Sequence, residues 1–409
     1  MVEKVKWVNG RGPAGDQEHG MSVAALSLFN EEEVKETGNF IKSFPQYKVT
    51  PLVSLDNLAE NLGVAGIHVK DESYRFGLNS FKVLGGGHAI GRYLGSQLGK
   101  NLNEISYSYL RSDQVKKRLG EITFTSATDG NHGRGVAWVA GQLGHRAVIN
   151  MPAGSSPIRL EQIRATGAEG YITDVNYDET VRITAENASK NGWLMVQDTA
   201  WEGYEEIPNR VMQGYTVMAA EALGQLQEKG IERPSHLFIQ AGVGSLAGAV
   251  LGYFFNKLKK NMPLSAVIEP NRADCFYRSA LAGDGQPRHV SGKLDTIMAG
   301  LACGEPNPVA WDILWKLSAM YISCPDYIAA NGMRILGNPL KNDHMVRSGE
   351  SGAVTTGILS ELVRKDYLHE ARSFLKLGPD SQILLFSTEG DTDPEMYRKI
   401  VWDGLYPGL

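Results

Sequence analysis

The chain has 409 residues, 42% hydrophobic and 21% charged, a balance that fits a globular protein of more than one domain and excludes bulk disorder. Its 46 Asp and Glu against 41 Lys and Arg leave a net charge of −5, so neither nucleic acid nor an anionic membrane surface is an implied partner. Forty-six glycines, about 11% against a usual ~7%, point to tight turns and to loops that approach a ligand closely.

Residues 1–20 mix charges of both signs and hold no apolar run of the kind a secretory leader needs. Residues 101–118 are polar and irregular and read as a surface excursion. The middle then alternates between strand and helix. Residues 121–126 read as a strand, 134–143 as a helix, 147–150 as a strand, and 157–166 as a helix whose Pro157 suits a first turn. A strand at 170–173, a helix at 178–190 and a strand at 193–197 follow. The second half resumes with a helix at 211–227, strands at 236–240, 264–268 and 382–386, and helices at 308–320, 328–336 and 352–363. Residues 237–255 carry no charge and are long enough to span a bilayer, but Gln240, Gly242, Gly244 and Gly248 break them into strand, loop and helix. The class expected is therefore α/β, with open, mostly parallel sheets in two domains. We place the larger domain at 1–90 plus 205–409, with 91–204 inserted as the smaller one. Cys275, Cys303 and Cys324 are too few for a disulfide framework, which fits free thiols and a cytoplasmic setting, with a Cys275–Cys303 pair the alternative where their loops meet. No metal-ligand spacing occurs.

Five segments carry chemistry. In KDESYRFGLNSFKVLGGG (70–87), Lys82 stands at the mouth of a helix, where a desolvated amine of lowered pKa can attack an aldehyde. Ser-Phe-Lys alone more often marks a solvated surface lysine; the longer string changes that. In SATDGNHGRG (126–135) a strand gives way to a helix, so free N–H groups at the turn can hold an anion, with Ser126, Thr128 and Asp129 toward a substrate. His132 in that segment is read as locally packed. QAGVGSLA (240–247) repeats the strand–loop–helix form. The loop Gly242, Val243, Gly244, Ser245 and Leu246 reads as a phosphate cup, because Ala247 replaces the last glycine of a dinucleotide fingerprint. In WLMVQDTAW (193–201), Asp198 follows a buried strand, a place where Asp also serves as a plain turn residue. STEGDTD (387–393) follows a late strand.

K-x-E-x-x-x-x-G-x-x-SFK resembles the cofactor-lysine motif of the fold-type II, tryptophan synthase β-like pyridoxal-phosphate enzymes. That resemblance implies pyridoxal 5′-phosphate held on Lys82 as a Schiff base and Asn131 at the ring hydroxyl. It further implies Ser387 or Thr388, with Thr388 favoured, at the ring nitrogen, and Glu350 in ESGA beside the ring. A hydroxyl partner leaves the ring a modest electron sink, which suits β-elimination. Asp129, where dehydratases carry a small neutral residue, together with Asp198, narrows the match. The four later motifs in combination resemble the diaminopropionate ammonia-lyases. These carbon–nitrogen lyases act on both isomers of 2,3-diaminopropionate and yield pyruvate and two ammonia. The resemblance implies Lys82, Asp129 and Asp198 as catalytic, Asp198 for the L-isomer and Asp129 for the D-isomer, in a homodimer. The alternatives are a serine or threonine dehydratase on the same scaffold, or a silent cofactor-binding protein.

Overall fold

A computed structural model describes residues 3–12 and 27–408, so residues 13–20 of the stretch read as lacking a leader lie outside them. The strands among the described residues are β1 (Lys6–Asn9), β2 (Leu52–Ser54), β3 (Gly66–Asp71), β4 (Thr123–Ala127), β5 (Arg146–Met151), β6 (Glu169–Ile172), β7 (Leu194–Met195), β8 (His236–Gln240), β9 (Leu264–Pro270), β10 (Met320–Cys324) and β11 (Gln382–Ser387). They form two sheets, each in its own compact unit.

The first unit takes the described residues up to Asn30, Thr50–Tyr74 and those from Met218 onward. Its sheet runs β1-β10-β9-β8-β11-β3-β2. The five inner strands are parallel, and β1 and β2 close the edges antiparallel. Every residue of β3, β8 and β10 is buried, as expected of parallel strands covered on both faces. The core includes Ile67, Val69, Ile268, Ile322, Leu359 and Leu385, none more than 1% exposed.

The second unit takes Glu31–Val49 and Arg75–Val217. Its sheet is fully parallel, β6-β5-β4-β7. Segments 31–49, 75–90 and 205–217, assigned on sequence to the larger domain, fall here, because the glycine-rich helix Val83–Leu98 packs on helix Asn131–Leu143 and on helix Glu31–Lys42.

Three local readings change. The helix expected at 308–320 ends at Leu317, and Met320–Cys324 is a strand. The strand expected at 193–197 shrinks to Leu194–Met195. The supposed excursion 101–118 holds three short helical turns, at Leu102–Glu104, Tyr107–Leu110 and Asp113–Leu119, the last two capped by the hydroxyls of Ser106 and Ser112. The uncharged run 237–255 is β8, a glycine turn and helix Ser245–Leu258, and no helix among the described residues is long and apolar enough to cross a membrane.

Candidate active site

In the second unit β4 and β7 are neighbours, with Thr125 opposite Met195, so the turns that leave them start level. Asp129 lies in the first turn and Asp198 in the second. Lys82 is the residue that opens helix Val83–Leu98. Its backbone is fixed by close packing: a Cβ on Gly135 would sit 2.8 Å from the N and Cα of Val83. The run Gly85–Gly87 serves the same end, since a Cβ on Gly85 would meet Val211 at 2.6 Å and Tyr215 at 2.7 Å. These glycines allow close helix contact.

The Lys82 ammonium donates to Asp198 Oδ2 at 2.5 Å, with the two side chains 17% and 8% exposed. Burial works against both charges, yet the pair's attraction outweighs it. Lys82 is held above the usual lysine range and Asp198 down to about 2. Asp129 and the buried Tyr215 also act on the Lys82 charge, and burial pushes the Tyr215 phenol up, so it stays neutral. His132 packs locally, as expected: its Nε2–H donates to Val196 O at 2.8 Å. Burial pulls its pKa below the ordinary imidazole range, and its Nδ1 lies 3.9 Å from Asp198 Oδ2.

The remaining predicted residues of this unit have visible local tasks. Thr128 Oγ1 accepts from the N–H groups of Gly130 and Gly133 at 2.9 and 3.2 Å, which shapes the turn that carries Asp129. Ser126 is fully buried and donates to Gln197 Oε1 at 2.9 Å, so its hydroxyl braces the strand end. Asn131 is the first, half-buried residue of helix Asn131–Leu143.

In the first unit β8 and β11 are neighbours, and the predicted residues again fall at their carboxyl ends. Gly244 has φ +91 and caps helix Ser245–Leu258, so the turn Gly242–Leu246 directs backbone N–H groups past the helix start. Asn307 braces it, donating its N–H to Val243 O at 2.8 Å and its amide to Ser245 Oγ at 3.2 Å. Gln240, the last residue of β8, donates from Nε2 to Ser351 O, to Phe386 O and to Thr388 Oγ1, the last at 2.9 Å. Because Thr388 accepts that bond, its own proton is left to donate. Ser387 instead turns its hydroxyl to Glu389 O at 3.4 Å. Glu350 opens helix Glu350–Arg364 and is buried.

The sequence pattern of the family described as pyridoxal-phosphate dependent enzymes matches residues 44–377. The chain belongs to this family. The diaminopropionate ammonia-lyase of Salmonella typhimurium is 50% identical over 382 residues, 93% of this chain and 95% of that protein. A crystal structure of the Escherichia coli diaminopropionate ammonia-lyase with D-serine superposes with a TM-score of 0.90 at 43% identity, covering 99% of this chain and 98% of that one. Another structure of the Escherichia coli enzyme, with an aminoacrylate-PLP azomethine reaction intermediate, gives 0.88 at 44% identity, covering 98% of each chain. The fold class read from the sequence, α/β with mostly parallel sheets, is that of the family.

The residues present fit the family's cofactor. Lys82 is held as an ammonium, not as the pKa-lowered amine expected from the sequence, because the Asp198 carboxylate outweighs burial. It must give up that proton before it can meet the aldehyde. The turn Gly242–Leu246 at a helix start suits the phosphate, and a Cβ on Gly244 would meet the Phe276 ring at 2.4 Å. A hydroxyl with a proton left to give suits the ring nitrogen. Sequence reasoning missed Gln240 as the group that aims Thr388, although it stood first in the quoted QAGVGSLA. It also missed Tyr215, whose place inside a long helix carried no signal.

Proposed function

We propose that this enzyme is a diaminopropionate ammonia-lyase, converting D- and L-2,3-diaminopropionate into pyruvate and two ammonia. The observation that carries the reading is the Lys82–Asp198 contact of 2.5 Å, with a second carboxylate, Asp129, acting on the same ammonium. Pyridoxal phosphate, when bound, supplies the electron sink that acidifies the substrate's α-C–H bond.

The chain's own residues supply the rest. Lys82 holds the aldehyde carbon, and its amine frees the product. Gly242, Val243, Gly244, Ser245 and Leu246 hold the phosphate through their backbone N–H groups, Thr388 donates to the ring nitrogen, and Asn131 meets the ring hydroxyl. Ser387 and Glu350 border the ring, and Ser126 and Thr128 shape the substrate's carboxylate site. Asp198 accepts the α-proton of the L-isomer and Asp129 that of the D-isomer. Both carboxylates favour a substrate with a β-ammonium, which leaves as ammonia without the activation a hydroxyl requires. The released enamine then hydrolyses to pyruvate and the second ammonia. The family resemblance favours a homodimer, and the three free cysteines favour a cytoplasmic setting.

The test is product stoichiometry with each isomer beside serine and threonine. Two ammonia per pyruvate from both diaminopropionate isomers, faster than one per keto acid from the hydroxy amino acids, is expected. Faster turnover of serine or threonine would favour a dehydratase, and no turnover at all a silent binding protein.

A further inference from the structure

Arg159 is the third residue of helix Pro157–Arg164, where a cation faces the positive end of the helix dipole. That placement calls for an anion close by. Its side chain is only 11% exposed, and its Nη1 lies 3.7 Å from Asp129 Oδ2. The stem is fixed as well. Gly130 has φ +150, and a Cβ there would meet Arg159 Cδ at 3.0 Å, Cβ at 3.3 Å and Cγ at 3.4 Å, so the arginine lies along the bare glycine and brings its head to the neighbouring residue. Asp129 Oδ2 is buried yet accepts no hydrogen bond among the described residues. Arg159 thus supplies charge at a distance while leaving that oxygen's lone pairs available. Lys82 and His132 are the other charged or titratable groups that act on Asp129, with Asp198 already paired to Lys82.

We propose that Arg159 is a positioning residue that presents Asp129 as a free carboxylate and thereby sets the enzyme's activity toward the D-isomer. The proposal rests on the role given above to Asp129. Without the guanidinium, the carboxylate loses the neighbour 3.7 Å away that fixes its orientation.

The test compares Arg159→Gln, Arg159→Lys and Asp129→Asn in the holoenzyme. kcat and KM are measured for each isomer, and carboxyl 13C NMR is recorded on aspartate-labelled protein, the Asp129 signal being the one lost in Asp129→Asn. Arg159→Gln should lower kcat for the D-isomer by about tenfold, about 1.4 kcal/mol in the barrier, and leave the L-isomer within about twofold. Arg159→Lys should restore most of the loss, and the Asp129 carboxyl signal should move in Arg159→Gln relative to the parent at fixed pH. Equal loss for both isomers, no rescue by lysine, or an unmoved Asp129 signal overturns the proposal. If Asp129→Asn is selective for the D-isomer while Arg159→Gln is inert, only the Arg159 role falls. If Asp129→Asn affects both isomers alike, the assignment of Asp129 falls with it.

Discussion

Asp198→Asn keeps the size of the side chain and an oxygen within reach of Lys82 while removing the charge. Across the 2.5 Å contact the gross attraction is roughly 7 kcal/mol at an effective dielectric of ~20. That is an upper bound, because breaking a buried pair usually costs about 3–5 kcal/mol. The cost falls further if the stranded ammonium deprotonates, as burial alone favours. We therefore expect the unloaded variant to lose no more than about 4 kcal/mol in urea unfolding. The kinetic effect is larger and selective. Loss of a general base removes about 10²- to 10⁴-fold of rate, so pyruvate release from the L-isomer should fall by that factor. Release from the D-isomer should fall by less than about tenfold, the share due to disturbing Lys82. The assay is initial pyruvate release from each pure isomer at saturation. An equal fall for both isomers would refute the division of labour between the two carboxylates.

Thr388→Ala removes the hydroxyl that Gln240 aims and should weaken cofactor binding in an absorbance titration by about fivefold, one hydrogen bond's worth; Ser387→Ala should change it far less. Gly135→Ala sets a Cβ 2.8 Å from backbone atoms of Val83 and should cost about 1–3 kcal/mol in urea unfolding, with cofactor affinity falling alongside. Burial pushes Glu269 up to about 8 from an ordinary 4.5, against the N–H groups of Phe276 and Tyr277 that it accepts. A carboxyl raised on folding contributes stability below pH 4.5 that is lost as pH rises through 8, by linkage on the order of 5 kcal/mol. Glu269→Gln should flatten that decline between pH 5 and 8.5, whereas an unchanged decline would show that Glu269 does not cause it.

Much of the second unit was legible because its strands and helices alternate in short, capped units between residues 121 and 191. β10 was hidden because Met320–Cys324 is buried at every residue and shows no alternation, so its first residue was read as the end of the preceding helix and the rest went unassigned. β3 was hidden by its charges. Lys70 is fully buried in it because partners distant in sequence take its charge and protons: Glu221 pairs with it at 2.7 Å, and Thr50 O and Gln225 Oε1 accept from it at 2.7 and 2.8 Å. The same limit governed the site. Lys82, Asp129, Asp198 and Thr388 stood in recognisable strings, while Gln240, Tyr215 and Arg159 act through neighbours that only the fold supplies. The domain boundary moved for a related reason: Gly85, Gly86 and Gly135 mark a close helix contact that no local pattern announces.

The most direct measurement is borohydride reduction of the cofactor-loaded enzyme followed by peptide mass mapping. The account predicts a single reduced pyridoxyl group on Lys82, with labelling abolished by prior addition of excess D- or L-2,3-diaminopropionate. A label on another lysine, or none, would contradict it.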